Sequence, residues 1–210
     1  MDSARRLFNR HGFERVTIDQ IMENAGLTRG GFYSYFNSKS ALYTEVLGCF
    51  FTDPDWKNCW DGVDVDLASG DVGPQIVRAY LSRQHFDDVE NSCPMVALPT
   101  DVARADPKAR RAFEIVFAAM VNVLDRSLRA RGRNRRATAQ AIAALCVGGM
   151  VMARAFEARA SADALRDACM QTALELGGWN EHKPATTIRK VSPAGERKRP
   201  SRTHAAKPLR

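Results

Sequence analysis

The stretch VTIDQIMENAGLTRGGFYSYFNSK, residues 16–39, predicts two short helices joined by a tight turn. Thr17 stands before the first helix and Gln20 follows three residues later, which is the spacing of a capping box. Gly26 is placed to end that helix in the left-handed conformation, since glycine has no Cβ to clash there. Thr28 stands where a cap for the second helix is expected. Two short helices with such a turn between them predict a helix-turn-helix.

The second helix carries features that a purely structural helix does not need. Gly30 and Gly31 each cost about 1 kcal/mol of helix propensity relative to Ala, which favours a site where base edges or phosphates approach the backbone. Arg29 beside them has the fork geometry that reads guanine O6 and N7. Lys39, in the first turn of the next helix, opposes the helix dipole, and a phosphate partner would explain it. Leu27, which follows the turn, is expected to tuck into the core.

A structural interpretation of the same residues stays open. Tyr33, Ser34 and Tyr35 offer hydroxyl groups, but tyrosines on a short helix are often half-buried packing residues. Thr17 and Thr28 are most simply helix caps. Each signal is weak alone, and it is their order and spacing that favour DNA binding.

Residues 4–51 resemble the N-terminal domain of the TetR/AcrR family of regulators. The resemblance is carried by ARRLFNRHGFERVTIDQI and AGLTRGGFYSYFNSKSAL, which include the F-Y-x-Y-F and F-x-S-K patterns. It implies an all-α homodimer whose third helix reads DNA and whose C-terminal domain binds a small effector. By position, it implies that the DNA contacts are made by Thr17, Thr28, Arg29, Gly30, Tyr33, Ser34, Tyr35 and Lys39. Among these, Tyr33 and Lys39 match phosphate-gripping positions, and Arg29 and Gly30 match base-reading ones. The first helix is shorter than the resemblance implies.

The rest of the chain reads as further helices, because no stretch shows sustained β-alternation. The predicted helices cover residues 3–10, 17–26, 28–36, 38–51, 74–87, 94–105, 107–131, 135–159 and 162–176. A loop rich in Asp, Gly and Trp, residues 53–73, separates two parts. The predicted domains are a helix-turn-helix domain (1–51), a ligand-binding and dimerisation domain (52–180) and a disordered basic tail (181–210).

Charge and composition restrict the class of protein. The 210 residues are 45% hydrophobic and 26% charged, which is ordinary for a soluble globular protein. No apolar run reaches the ~18 residues of a membrane span, and no secretory signal precedes the first helix, so a cytoplasmic protein is expected. The net charge of +7 belongs to residues 183–210, which carry nine basic residues and one acid, leaving −1 for the rest. That tail could attract phosphates or could simply be a solvated extension.

The sequence gives no sign of a metal site, a cofactor site or a catalytic site. The five cysteines are widely spaced and form no C-x-x-C pair, and the four histidines lie in unrelated contexts. Walker and Rossmann glycine spacings are absent. An enzyme is therefore the less favoured class. A helical adaptor that has lost DNA contact stays open as another alternative.

The effector is expected to bind among apolar residues of the C-terminal part. The candidate lining residues are Phe86, Cys93, Phe113, Phe117 and Met120, although such apolar helices are often simply core. The run NSCPMVALPTDVARADPKARRAF, residues 91–113, is similar to one subgroup of the same family. Cys93, beside Pro94, could alternatively be a reactive thiol that senses electrophiles, or an inert packed thiol.

The last two helices are rich in small residues, and the resemblance implies that they form a four-helix dimer bundle. Ala144, Val147, Val151 and Ala155 would then meet their copies across a two-fold axis, although the same stripe could pack within a monomer. A dimer places two recognition helices on one palindromic operator. The resemblance favours a repressor, released when a small effector selects the other conformation, over an activator.

Overall fold

The computed structural model describes residues 1–49, 65–66, 68–129 and 134–179, and within these ranges it contains helices and no strand. The all-α prediction is confirmed. The helices, in chain order, are α1 (Asp2–His11), α2 (Ile18–Asn24), α3 (Arg29–Phe32), α4 (Lys39–Cys49), α5 (Val72–Tyr80), α6 (Arg83–Asp87), α7 (Pro94–Ala97), α8 (Pro99–Arg104), α9 (Pro107–Ser127), α10 (Arg135–Arg154) and α11 (Arg159–Gly177). The predicted basic tail, residues 181–210, and most of the predicted loop, residues 53–73, lie outside the described residues.

The turn between α2 and α3 forms as its residues predict. The capping box is present, with the Gln20 amide donating to the Thr17 hydroxyl and the Gln20 side chain accepting from the Thr17 amide. At the other end, Gly26 has φ +67°, and the Gly26 and Leu27 amides donate to the Glu23 and Met22 carbonyls. These two bonds are the Schellman pattern of a helix end. The local sequence is therefore sufficient to build this turn.

Two expectations about the same segment are wrong. Leu27 is 60% exposed rather than tucked into the core, since the reversal at Gly26 sends it along the surface. The sequence predicts that the second helix reaches Phe36, but its α-helical part ends at Phe32 and continues as tight turns. Gly30 disfavours a long helix here, and the Thr28 hydroxyl makes no capping bond although the residue stands at the cap position.

Several longer helices are broken where local chemistry interrupts them. The helix expected over 74–87 divides at Ser82, whose hydroxyl accepts from the His85 amide and caps α6. The helix expected over 94–105 divides before Pro99, because proline has no N–H to continue the ladder. In the last pair, α10 ends at Arg154 and α11 starts at Arg159, both earlier than predicted.

Among the residues that the structure describes, two clusters of buried apolar side chains form the core. The first joins α1–α4 and also takes in Leu98, which precedes α8, Val102 of α8 and Ala109 of α9. The second lies among α5, α7, α9, α10 and α11. Phe113 on α9 packs against both clusters, so α9 links the N-terminal helices to the rest. The N-terminal helices therefore share part of their core with the C-terminal part.

The pair α10–α11 packs closely because α10 has glycine at the contact. A Cβ on Gly149 would lie 2.8 Å from Cys169 Sγ and 3.3 Å from Leu81 Cδ2. By length and mean hydropathy (1.4), α10 is the one helix of the described ranges that could cross a membrane. This is a weak indication, because the core helix of a soluble protein passes the same test. Seven residues of α10, from Ala139 to Ala153, are buried in the fold.

Candidate nucleic-acid interface

The residues predicted to contact DNA lie mostly on the protein surface. Lys39 is half-buried, and the others are exposed. The exposed ones are Thr17, Thr28, Arg29, Gly30, Tyr33, Ser34 and Tyr35. We call residues 28–35 the α3 surface. It presents two large side chains to solvent, since Tyr33 is 53% exposed and Tyr35 is 83% exposed.

Buried aromatic residues hold the α3 surface in place. Phe32 is only 2% exposed and packs in the N-terminal core. Its ring meets Phe36 at 5.7 Å and Tyr33 edge-on at 5.2 Å. Because Phe32 points inward, its neighbours Gly30 and Tyr33 are left on the outside of the turn. A Cβ built on Gly30 would meet no atom within 4 Å, so the backbone there is open to an approaching molecule.

Arg29 is held by a neighbour on α2. Its Nη1 donates to Asp19 Oδ2 at 2.7 Å, and both side chains are more than half exposed. Asp19 is not among the residues that the sequence predicts to contact DNA. The ion pair connects the start of α3 to the first turn of α2, and it is on the same exposed side of the protein as the rest of the α3 surface.

Lys39 has two partners within the protein. Its Nζ donates to the Phe13 carbonyl at 2.8 Å and to the Val16 carbonyl at 2.9 Å, and it lies 4.2 Å from the Phe13 ring centroid. These contacts tie α4 to the loop between α1 and α2. They explain a lysine in this first turn without a phosphate, so a structural role accompanies the predicted phosphate contact. Thr17 also has a structural role, because its hydroxyl caps α2.

The five predicted effector residues all belong to the C-terminal core cluster or pack against it. Cys93 and Met120 are completely or almost completely buried in the C-terminal core, at 0% and 2% exposure. Phe113 and Phe117 are half-buried against it. Phe86 also packs against this core, and Arg166 and Arg159 of α11 lie over its ring at 5.0 and 5.6 Å.

A buried polar cluster that sequence analysis missed lies where the N-terminal helices meet the C-terminal part. His85, at 0% exposure, contacts the Tyr80 carbonyl through Nδ1 (2.6 Å) and the Ser92 hydroxyl through Nε2 (2.9 Å). Arg154 of α10 donates to the same Ser92 hydroxyl at 2.9 Å and to the His85 carbonyl. From α1, Asn9 donates to the Ser92 carbonyl at 2.8 Å. We call these residues the junction cluster.

The chemistry of the junction cluster fixes its protonation. A carbonyl can only accept, so the Nδ1 of His85 carries the ring proton and Nε2 accepts from Ser92. Burial, followed by the charge of Arg154, lowers the pKa of His85 from 6.5 to about 3. Burial also raises the pKa of Tyr80, whose hydroxyl lies beside the Cys93 thiol. The cluster is therefore a neutral histidine and a buried phenol, with Arg154 at its edge. Its hydrogen-bonded members are 5–83 residues apart in the chain, and no local pattern marks them.

An apolar groove of about 440 Å³ runs between α10 and α11. It is lined by Ala141, Ala144, Leu145, Gly148, Gly149, Met152, Leu165 and Cys169. Met152 is 54% exposed. Of the residues predicted for a dimer interface, Ala144 lines the groove, Val147 and Val151 are half-buried and pack partly against the core, and Ala155 is exposed.

Comparisons with known proteins agree with this arrangement. The family model described as "Bacterial regulatory proteins, tetR family" matches residues 1–46. The one described as "Transcriptional regulator LmrA/YxaF-like, C-terminal domain" matches residues 75–171, which include the run noted above.

Individual relatives match over shorter stretches. The uncharacterised HTH-type regulator YfiR of Bacillus subtilis is 34% identical over 47 residues, which are 22% of this chain and 23% of YfiR. The HTH-type regulator AcrR of Shigella flexneri is 39% identical over 46 residues, 22% of this chain and 21% of AcrR. The chain thus spans less than a quarter of the length of these two relatives. The crystal structure of reduced NemR from E. coli has the same fold, with a TM-score of 0.64 at 17% identity over 83% of this chain and 92% of NemR. With the family models matching both its N-terminal and its C-terminal helices, the chain belongs to the TetR/AcrR family of transcriptional regulators.

Proposed function

We propose that this protein is a cytoplasmic, homodimeric DNA-binding regulator that represses transcription and is released from a palindromic operator by a small effector. The observation that carries the proposal is the α3 surface. It combines an open backbone at Gly30, an exposed arginine and two exposed tyrosines on a turn anchored by buried Phe32. An arginine fork reads guanine in the major groove, and hydroxyls contact phosphates.

The groove between α10 and α11 supports the dimer. It is apolar, lies on the last two helices and is lined by small residues that let a second helix approach closely. A copy of the same groove across a two-fold axis would bury Met152 and Ala144 against themselves. Such a dimer would give two α3 surfaces, spaced to read the two halves of one palindrome.

A matched pair of variants tests the dimer. Met152→Arg places a charge in the groove, while Ile115→Arg makes the same change at an α9 residue that is 62% exposed. Light scattering after size exclusion should give a monomer for Met152→Arg and a dimer for Ile115→Arg and wild type. A dimer in both variants would contradict the proposed interface.

Release by an effector requires that the two parts of the chain be coupled. Phe113 touches both core clusters, and the junction cluster joins Asn9 of α1 to Arg154 of α10 through Ser92. An effector that enters the C-terminal core near Phe113 and Phe117 would displace these contacts and favour a conformation that fits the operator less well. By linkage, operator binding would then weaken effector binding by the same factor.

The electrophile-sensor alternative is not favoured. Cys93 is 0% exposed and sits against the Tyr80 hydroxyl, so a reagent in solution does not reach it in this conformation. An enzymatic role is also not part of the proposal, because the family consists of regulators and His85 is locked inside the junction cluster.

A gel shift with the promoter region of the protein's own gene tests the proposal. Arg29→Ala should relax sequence preference, and Tyr33→Phe should weaken binding to all sequences alike. Arg126→Ala is the control, because this exposed arginine lies at the far end of α9, about 30 Å from the end that contacts Ser40. If both α3-surface variants bind like wild type, the α3 surface is not the DNA-binding site.

A further inference from the structure

We propose that Asp19 is a specificity-determining residue of the DNA interface, because it holds the guanidinium of Arg29 in the orientation that reads guanine. This inference rests on the proposed function. It assigns a role to an acidic residue on a surface that is otherwise expected to meet phosphates.

The geometry of the ion pair leaves the reading edge of Arg29 free. Asp19 Oδ2 accepts from Nη1 of Arg29 at 2.7 Å, a single contact. Within the described ranges, Nη2 and Nε of Arg29 have no protein partner. Guanine O6 and N7 accept two parallel N–H bonds from one guanidinium edge. The carboxylate can therefore fix one nitrogen while others face a base.

Without an ion-pair partner, Arg29 would recognise guanine less well. Its side chain has many rotamers, and ordering it on binding carries an entropic cost. Asp19 sits on α2, whose ends are fixed by the Thr17 capping box and the Gly26 turn, so its carboxylate is well placed to orient a side chain on α3. Orientation before binding lowers that cost.

A purely structural role would also explain Asp19. An acid in the first turn of a helix interacts favourably with the helix dipole, and an exposed ion pair contributes little to stability. This explanation predicts that removing the carboxylate changes α2 slightly and leaves the choice of DNA sequence unchanged. The two explanations therefore differ in what they predict for sequence discrimination.

The negative charge of Asp19 also affects how strongly the protein binds DNA of any sequence. A carboxylate near the phosphates weakens binding to every sequence, and the loss is smallest where Arg29 is fully engaged. Asp19→Asn should therefore strengthen binding to random duplex while it weakens discrimination. Glu23, one helical turn along the same face of α2, is exposed and allows the matched control Glu23→Gln.

The experiment starts with selection of duplexes from a random pool by the full-length wild-type protein. The affinity for the selected duplex is then compared with its affinity for duplexes in which each conserved guanine is replaced. The discrimination ratio is the affinity for the selected duplex divided by the affinity for the duplex with one guanine replaced. For Asp19→Asn, this ratio should fall about fivefold to tenfold at the guanine that Arg29 reads. The Glu23→Gln ratio should stay at the wild-type value, even if its affinity for all duplexes rises.

A double-mutant cycle shows whether Asp19 acts through Arg29. In an Arg29→Ala background, Asp19→Asn should leave the discrimination ratio unchanged, because the side chain that it orients is gone. Equal ratios in wild type and Asp19→Asn, or additive losses in the double variant, would overturn the inference while leaving the proposed function in place. If the wild type selects no sequence at all, the proposed function itself fails.

Discussion

Lowering the pH from 7 to 5 should destabilise this protein through one residue, His85. Its ring is fully buried, with Nδ1 donating to the Tyr80 carbonyl. Nε2 accepts from the Ser92 hydroxyl at 2.9 Å and from the Cys93 amide at 3.4 Å. A second proton on the ring would face those donors and the charge of Arg154, so the folded protein keeps His85 neutral.

The size of the effect follows from the two pKa values of His85. In the unfolded chain the pKa is 6.5, and in the folded protein burial lowers it to about 3. Between these values the unfolded state binds the extra proton, so stability is complete above pH 6.5 and is lost as the pH falls towards 3. From pH 7 to pH 5 the loss is about 2 kcal/mol. Carboxylates contribute little here, since their usual pKa values lie near 4.

Urea unfolding at pH 7, 6 and 5 measures this loss. The variant His85→Gln keeps one donor and one acceptor but cannot be protonated, so its stability should be nearly constant over this range. His11→Gln replaces an exposed histidine and should keep the wild-type pH dependence. If wild type and His85→Gln lose the same stability between pH 7 and pH 5, the description of the junction cluster is wrong.

Three further predictions concern stability and are checked by urea unfolding. Gly149→Ala places a Cβ 2.8 Å from Cys169 Sγ and 3.0 Å from Cys169 Cβ, and it should lower the free energy of unfolding by about 1–2 kcal/mol; a Cys169→Ala background should recover the part of that loss caused by the sulfur. Thr17→Ala removes the capping box of α2 and should cost about 1 kcal/mol, while Thr17→Ser should retain most of it. Asn9→Ala leaves the carbonyls of Glu90 and Ser92 without a donor and should cost about 1–3 kcal/mol; no loss would mean that α1 is not tied to the junction cluster.

The helix-turn-helix could be predicted because its signals are local. The Thr17–Gln20 pair and Gly26 act within one helix, and both behave as expected. The length of α3 was harder to predict, since its glycines lower helix propensity by amounts that the surrounding packing can override. Likewise, Leu27 satisfies a turn pattern, but the packing of the finished fold decides whether it is buried.

The junction cluster and the α10–α11 groove depend on contacts between distant parts of the chain. Asn9 and Ser92 are 83 residues apart, and Arg154 is 62 residues from Ser92. Sequence periodicity shows that α10 is apolar on more than one side, but not which side the core covers. Val147, for example, is predicted for the dimer face and also packs partly against the core. The role of Asp19 could not be predicted from local patterns either, because its partner Arg29 lies on another helix.

A hydroxyl-radical footprint of the wild-type protein on the promoter region of its own gene tests the central proposal most directly. We expect two protected patches related by a dyad and about 10 base pairs apart, the spacing of two recognition helices one turn apart on duplex DNA. Uniform protection along the fragment, or no protection at moderate salt, would contradict the assignment of the α3 surface to operator recognition.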